Sequence, residues 1–69
     1  MDTKEWLLNL DEAAKKIREA VECLKTAEEK VDYPGNIVTV GFRQDLSYYL
    51  NGDGMGEEGL LKYIARQRG

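Results

Sequence analysis

Residues 33–42 read Tyr33-Pro34-Gly35-Asn36-Ile37-Val38-Thr39-Val40-Gly41-Phe42, and this stretch sets the fold class. Pro-Gly marks a turn, because proline cannot continue a helix that arrives from upstream. Behind the turn, Ile37, Val38 and Val40 with Thr39 and Phe42 have the composition of a strand, predicted over 37–42. A strand exposes unpaired backbone groups along its edges and needs a neighbour. The neighbour expected here is the same strand of a second copy. The next segment, Arg43 to Leu50, is open. Leu46, Tyr49 and Leu50 suit one face of a short helix over 44–50 that ends at Asn51-Gly52. The alternative is a second strand, with Phe42 to Asp45 as its turn. Strand followed by helix is the preferred reading.

Upstream, residues 3–31 carry the clearest periodicity. Trp6, Leu7, Leu10, Ala13, Ala14, Ile17, Ala20, Val21, Leu24, Ala27 and Val31 form the wide apolar stripe of a long amphipathic helix. Glu12 lies at supportive spacings from Lys15 and Lys16, and Asp2 with Glu5 fits a capping box. Leu10, Ile17, Leu24 and Val31 fall seven apart and are expected to be the most buried positions. Ala13, Ala20 and Ala27 form a companion row of small residues that would let a second helix approach closely. Twenty-nine helical residues would span about 43 Å. A compact chain of this size has a radius of gyration of about 11 Å. Either the helix breaks near Asn9, where Asn9 and Glu12 offer a second cap, or it packs against another chain. The second is favoured. It makes Leu10, Ala13, Ile17, Ala20, Leu24 and Ala27 an oligomer interface, of at least a dimer.

Downstream, residues 51–59 form a glycine-dense loop, expected to be flexible. Leu60 to Arg68 reads as a C-terminal helix with Glu57 and Glu58 at its positive end and Lys62, Arg66 and Arg68 towards its negative end. The expected fold is α+β, mostly helical: one long amphipathic helix, a short strand and one or two short C-terminal helices in a single domain.

Composition narrows function mainly by exclusion. The chain has 69 residues, one cysteine and no histidine, so neither an internal disulfide nor the usual Cys/His zinc site can form within it. Small domains without such staples often oligomerise. No apolar run approaches the roughly 20 residues of a membrane helix, and the charged N-terminus leads into no signal-type segment. A reduced, cytoplasmic setting is the expectation. The net charge is −3, with the acids spread over residues 1–58 and a net of +3 on residues 59–69. That balance, with no basic helix face, makes nucleic acid an improbable partner.

Two motif matches fail on context. Gly54-Met55-Gly56-Glu57-Glu58-Gly59 spells G-x-G-x-x-G, but no βαβ unit can follow it, and two glutamates stand where an anion would arrive. Asn51, Asp53 and Gly56 resemble a calcium loop, yet Lys62 occupies the position of its bidentate glutamate. Cys23 has no evident basic partner to activate it and reads as a semi-buried small side chain. No catalytic residue, cofactor or metal site is expected.

The remaining cluster of interest is Arg43, Tyr48 and Tyr49, with Phe42 beside them and Arg66 and Arg68 on the tail. Guanidinium forks and aromatic faces suit a protein hot spot or a nucleotide-like anion. The leading expectation is a non-enzymatic protein-binding module, such as an inhibitor, adaptor or regulator, acting as a homo-oligomer. The alternative is a binder of a nucleotide or other small anion, with sites at oligomer interfaces.

Overall fold

The computed structural model describes residues 3–52 and 58–69. It consists of three helices: α1 (Thr3–Glu29), α2 (Gly35–Asn51) and α3 (Leu60–Arg68). No strand occurs among the described residues. The α+β expectation is therefore corrected to an all-helical fold. The segment read as a strand over 37–42 and the segment left open over 44–50 are one continuous helix.

The physical reason lies in the backbone. A lone strand over 37–42 would leave its N–H and C=O groups without partners in this chain, whereas a helix satisfies them internally. Against this, β-branched residues lower helix stability by at most about 0.7 kcal/mol each, a weak preference that packing overrides. Local side chains help the first turn. Asn36 Oδ1 accepts from the Ile37 N–H at 2.9 Å, and Thr39 Oγ1 donates to the Gly35 carbonyl at 2.8 Å. The far end closes at Gly52, whose positive φ of 83° suits glycine and whose N–H donates to the Tyr48 carbonyl at 2.7 Å.

Helix α1 runs unbroken through Asn9, where the side-chain Nδ2 donates to the Glu5 carbonyl at 3.0 Å instead of capping a new helix. Its 27 residues account for about 40 Å of length, and the molecule measures 46 × 25 × 14 Å with a radius of gyration of 14.5 Å. The long helix does not overhang a small globule; the globule is elongated to match it. Residues 30–34, with a cis Tyr33-Pro34 peptide, return the chain so that α2 runs back antiparallel along the C-terminal half of α1. Helix α3 then packs on the N-terminal half. There Trp6 meets Tyr63 edge to face, with ring centroids 6.2 Å apart.

The buried row of α1 is Leu7, Ala14 and Val21. The expected row differs by one strip of the helix surface. Leu10, Ile17 and Leu24 are only half-buried, and Val31 is exposed beyond the end of α1. Ala14 joins Leu50 of α2 and Ile64 of α3 in the central cluster, with Leu10, Ile17, Leu60 and Leu61 packed around it. The small side chain at Ala14 is what lets all three helices meet there.

The seven-residue spacing continues from Val21 to Glu28. That carboxylate is not on a solvated face. Arg43 Nε donates to Glu28 Oε2 at 2.7 Å, with both side chains more than three-quarters covered. This pair joins the end of α1 to the middle of α2. Removing one partner leaves the other charge poorly solvated, so Arg43→Ala should lower the melting temperature more than Lys25→Ala, which breaks an exposed pair with Glu22. Equal melting temperatures for the two variants would mean that the Glu28–Arg43 pair contributes nothing to the hairpin.

Candidate interaction surface

Helix α2 is apolar on two sides. Its inner side carries Thr39, Val40, Arg43, Leu46, Ser47 and Leu50 towards the rest of the chain. At about 100° per residue, Ile37, Val38, Gly41, Phe42, Tyr48 and Tyr49 fall on the opposite side. Ile37 is 60% exposed, Val38 54%, Phe42 59% and Tyr49 65%. Tyr48 and Tyr49 stack edge to face with centroids 5.7 Å apart, and Tyr48 is also more than a third exposed. Only Asp45 interrupts this strip with a charge.

The exposed parts of these five large side chains amount to roughly 300–550 Å² of apolar surface. The largest patch on an ordinary monomer is of similar size, about 300–600 Å², and is often functional.

The residues expected at an oligomer seam on α1 have varied surroundings. Leu10 and Ile17 pack against the Ala14, Leu50 and Ile64 cluster of their own chain. Ala20 and Leu24 are half-buried, while Ala13 and Ala27 are exposed. Cys23, expected to be semi-buried, is exposed.

The arginines expected at a ligand site are dispersed over separate ion pairs. Arg43 is held by Glu28. Arg66 pairs with Glu58 at 2.8 Å and lies over the Tyr63 ring, 5.7 Å from its centroid. Arg68 makes a two-pronged contact with the carboxylate of Asp11. The structure keeps Tyr48 and Tyr49 together but does not gather the three guanidinium groups around them. The sequence reading did not find these three carboxylate partners. The partners are far apart in sequence: Glu28 lies 15 positions from Arg43 and Asp11 57 positions from Arg68.

The Arg68 hydrogen bond holds the Asp11 carboxyl below the usual carboxylate range, against a smaller opposing effect of desolvation. A carboxyl depressed on folding stabilises the native state above its unfolded pKa, and loses that contribution as pH falls through its folded pKa. Both side chains are nearly half exposed, so salt should screen the effect. Asp11→Asn should lose less stability than the parent as pH falls through and below 3.8, the ordinary value of the carboxyl. Acid-melting curves of equal slope would remove Asp11 from the acid response.

Two open depressions flank α3. One is lined by Glu58, Lys62, Ala65 and Arg66, with charges of both signs. The other lies between the start of α1 and the end of α3, with Leu7 and Leu8 at its base. Among the described residues, no three His, Cys, Asp or Glu side chains converge as a metal site, and no helix is long and apolar enough to cross a membrane. Asp53, Met55 and Gly56 of the glycine-rich loop lie outside the described residues, as does the capping residue Asp2. No known protein family, curated protein or solved structure matches the chain.

Proposed function

We propose that this chain is a small non-enzymatic protein-binding module that acts as a homo-oligomer, with the outer face of α2 as its contact surface. The observation that carries the proposal is the exposure of Ile37, Val38, Phe42 and Tyr49 along one side of a helix whose other side is already packed. The apolar stripe of α1 is covered largely by α2 and α3 of the same chain. Leu8, Val31 and Tyr33 are also exposed, but the longest run of exposed apolar side chains on one helix face lies on α2. The ligand-binding alternative has less support, because Arg43, Arg66 and Arg68 each already engage a carboxylate.

A solution melting series tests this reading. If copies associate in the folded state, the melting temperature rises with protein concentration. Phe42→Glu places a charge on the contact face without touching the core cluster. It should abolish the concentration dependence while leaving the helical signal intact. A parent melting temperature that is constant over about a hundredfold range of concentration would remove the basis for self-association.

A further inference from the structure

Resting on the proposal that α2 is the contact surface, we infer that its occupant is the α2 of a second copy, crossing antiparallel about a two-fold axis near residue 43, with Gly41 as the point of closest approach. The first support is area. A standard interface covers about 800 Å² on each partner, a little over half of it apolar. The roughly 300–550 Å² of apolar surface on this face is about the share such an interface needs. The face is therefore large enough for one copy of itself and does not call for a larger partner.

The second support is Gly41. It sits in the interior of α2, where glycine weakens a helix relative to alanine. Nothing among the described residues explains it: a Cβ built there meets none of their atoms within 4 Å. Neither a turn nor a positive φ requires glycine at this position. Its neighbours on the face are Ile37, Val38, Phe42 and Asp45, so the missing side chain leaves a notch in an otherwise bulky strip. A notch with no intrachain role fits a partner helix that comes close.

The third support is the order of residues along the face. Its N-terminal end is aliphatic, with Ile37 and Val38, and its C-terminal end is aromatic, with Tyr48 and Tyr49. These two ends lie equally far from residue 43. An antiparallel crossing there sets each aliphatic pair against the partner's tyrosines. Asp45 falls opposite the partner's Gly41, where the notch leaves room for its carboxylate and water. A parallel pairing would stack tyrosine on tyrosine and align the two helix dipoles unfavourably.

Disulfide trapping tests the geometry on a Cys23→Ser background, since Cys23 is exposed. Ile37→Cys and Tyr49→Cys chains are prepared separately, then mixed and oxidised with glutathione disulfide. The antiparallel crossing predicts a covalent dimer in the mixture and little in either chain alone. Homodimers in each separate sample, with none specific to the mixture, would establish a parallel pairing and overturn the geometry. Gly41→Ala supplies a second readout that does not depend on thiols. It should raise the melting temperature of the dilute monomer by a few degrees while weakening self-association about tenfold or more, because the new methyl groups fill the notch. Unchanged or tighter association would overturn the role of Gly41. A parent that self-associates but fails these tests leaves the α2 proposal standing without this geometry. A parent that stays monomeric at every concentration overturns both.

Discussion

Leu50→Ala should remove about half of the chain's stability. Leu50 is 5% exposed and is the only buried residue that α2 contributes to the described core, where it meets Ala14 and Ile64. Truncating a buried leucine to alanine costs about 2–5 kcal/mol through lost transfer energy and the cavity left behind. At about 0.05–0.15 kcal/mol per residue, the whole chain is worth only about 3–10 kcal/mol. No neighbouring large core can absorb the loss, because only Leu7, Ala14, Val21, Leu50 and Ile64 form the buried apolar set among the described residues. Far-ultraviolet circular dichroism should show a melting temperature lowered by well over 10 °C, at about 4–8 °C for each kcal/mol. A cooperative melt within error of the parent would mean that the three helices do not meet at Leu50.

Gly59→Ala should also be strongly destabilising, although its backbone looks permissive. Gly59 has φ −83° and ψ 171°, which alanine adopts without strain. On chain entropy alone, the substitution would stabilise by about 0.4–1 kcal/mol. Packing reverses the sign. A Cβ at this position would run into the backbone N of Gly52 and the carbonyl carbon of Asn51, and would lie 2.6 Å from the Leu50 carbonyl oxygen. All three are main-chain atoms at the end of α2, where Gly52 also pairs with Glu58. They can yield only by moving α3 away from α2, and overpacking of this kind costs about 1–3 kcal/mol or more. The expected result is a lower melting temperature, with faster amide exchange at Ile64 and Ala65. A more stable Gly59→Ala protein would show that this approach is looser than the structure has it.

Much of this architecture is legible in the sequence, and the failures have identifiable physical causes. The three-and-four spacing from Trp6 to Val31 marks α1 to within two residues of its observed end, and Leu60 to Arg68 matches α3 at both ends. Both segments have an apolar stripe set against a charged face, so pattern and propensity agree. Helix α2 was missed because they conflict there. Ile37, Val38, Thr39 and Val40 favour strand by composition, and residues apolar on two sides blur the helical period. The strand's need for a pairing partner was visible, but it was assigned to a second copy instead of counting against the strand. That choice also produced the supposed overhang of α1, since the residues that cover its C-terminal half had been given another role. The expected buried row, Leu10, Ile17 and Leu24, differs from the observed Leu7, Ala14 and Val21 because the observed row has an alanine at its centre, where size alone favours Ile17. The meeting of three helices at Ala14 depends on its being small. For the candidate site, Tyr48 and Tyr49 were singled out for their chemistry and do lie on the exposed face. The roles of Ile37, Val38 and Gly41 were hidden by the strand reading.

The central claim is that this chain associates with itself through the outer face of α2. Sedimentation equilibrium of the parent and of Phe42→Glu, run side by side from low to high micromolar concentration, tests it most directly. The account predicts that the parent approaches twice the 7.9 kDa chain mass as concentration rises, while Phe42→Glu keeps the mass of a single, fully helical chain throughout. A parent that sediments as a single chain at every concentration, or a Phe42→Glu protein that assembles as the parent does, would contradict it.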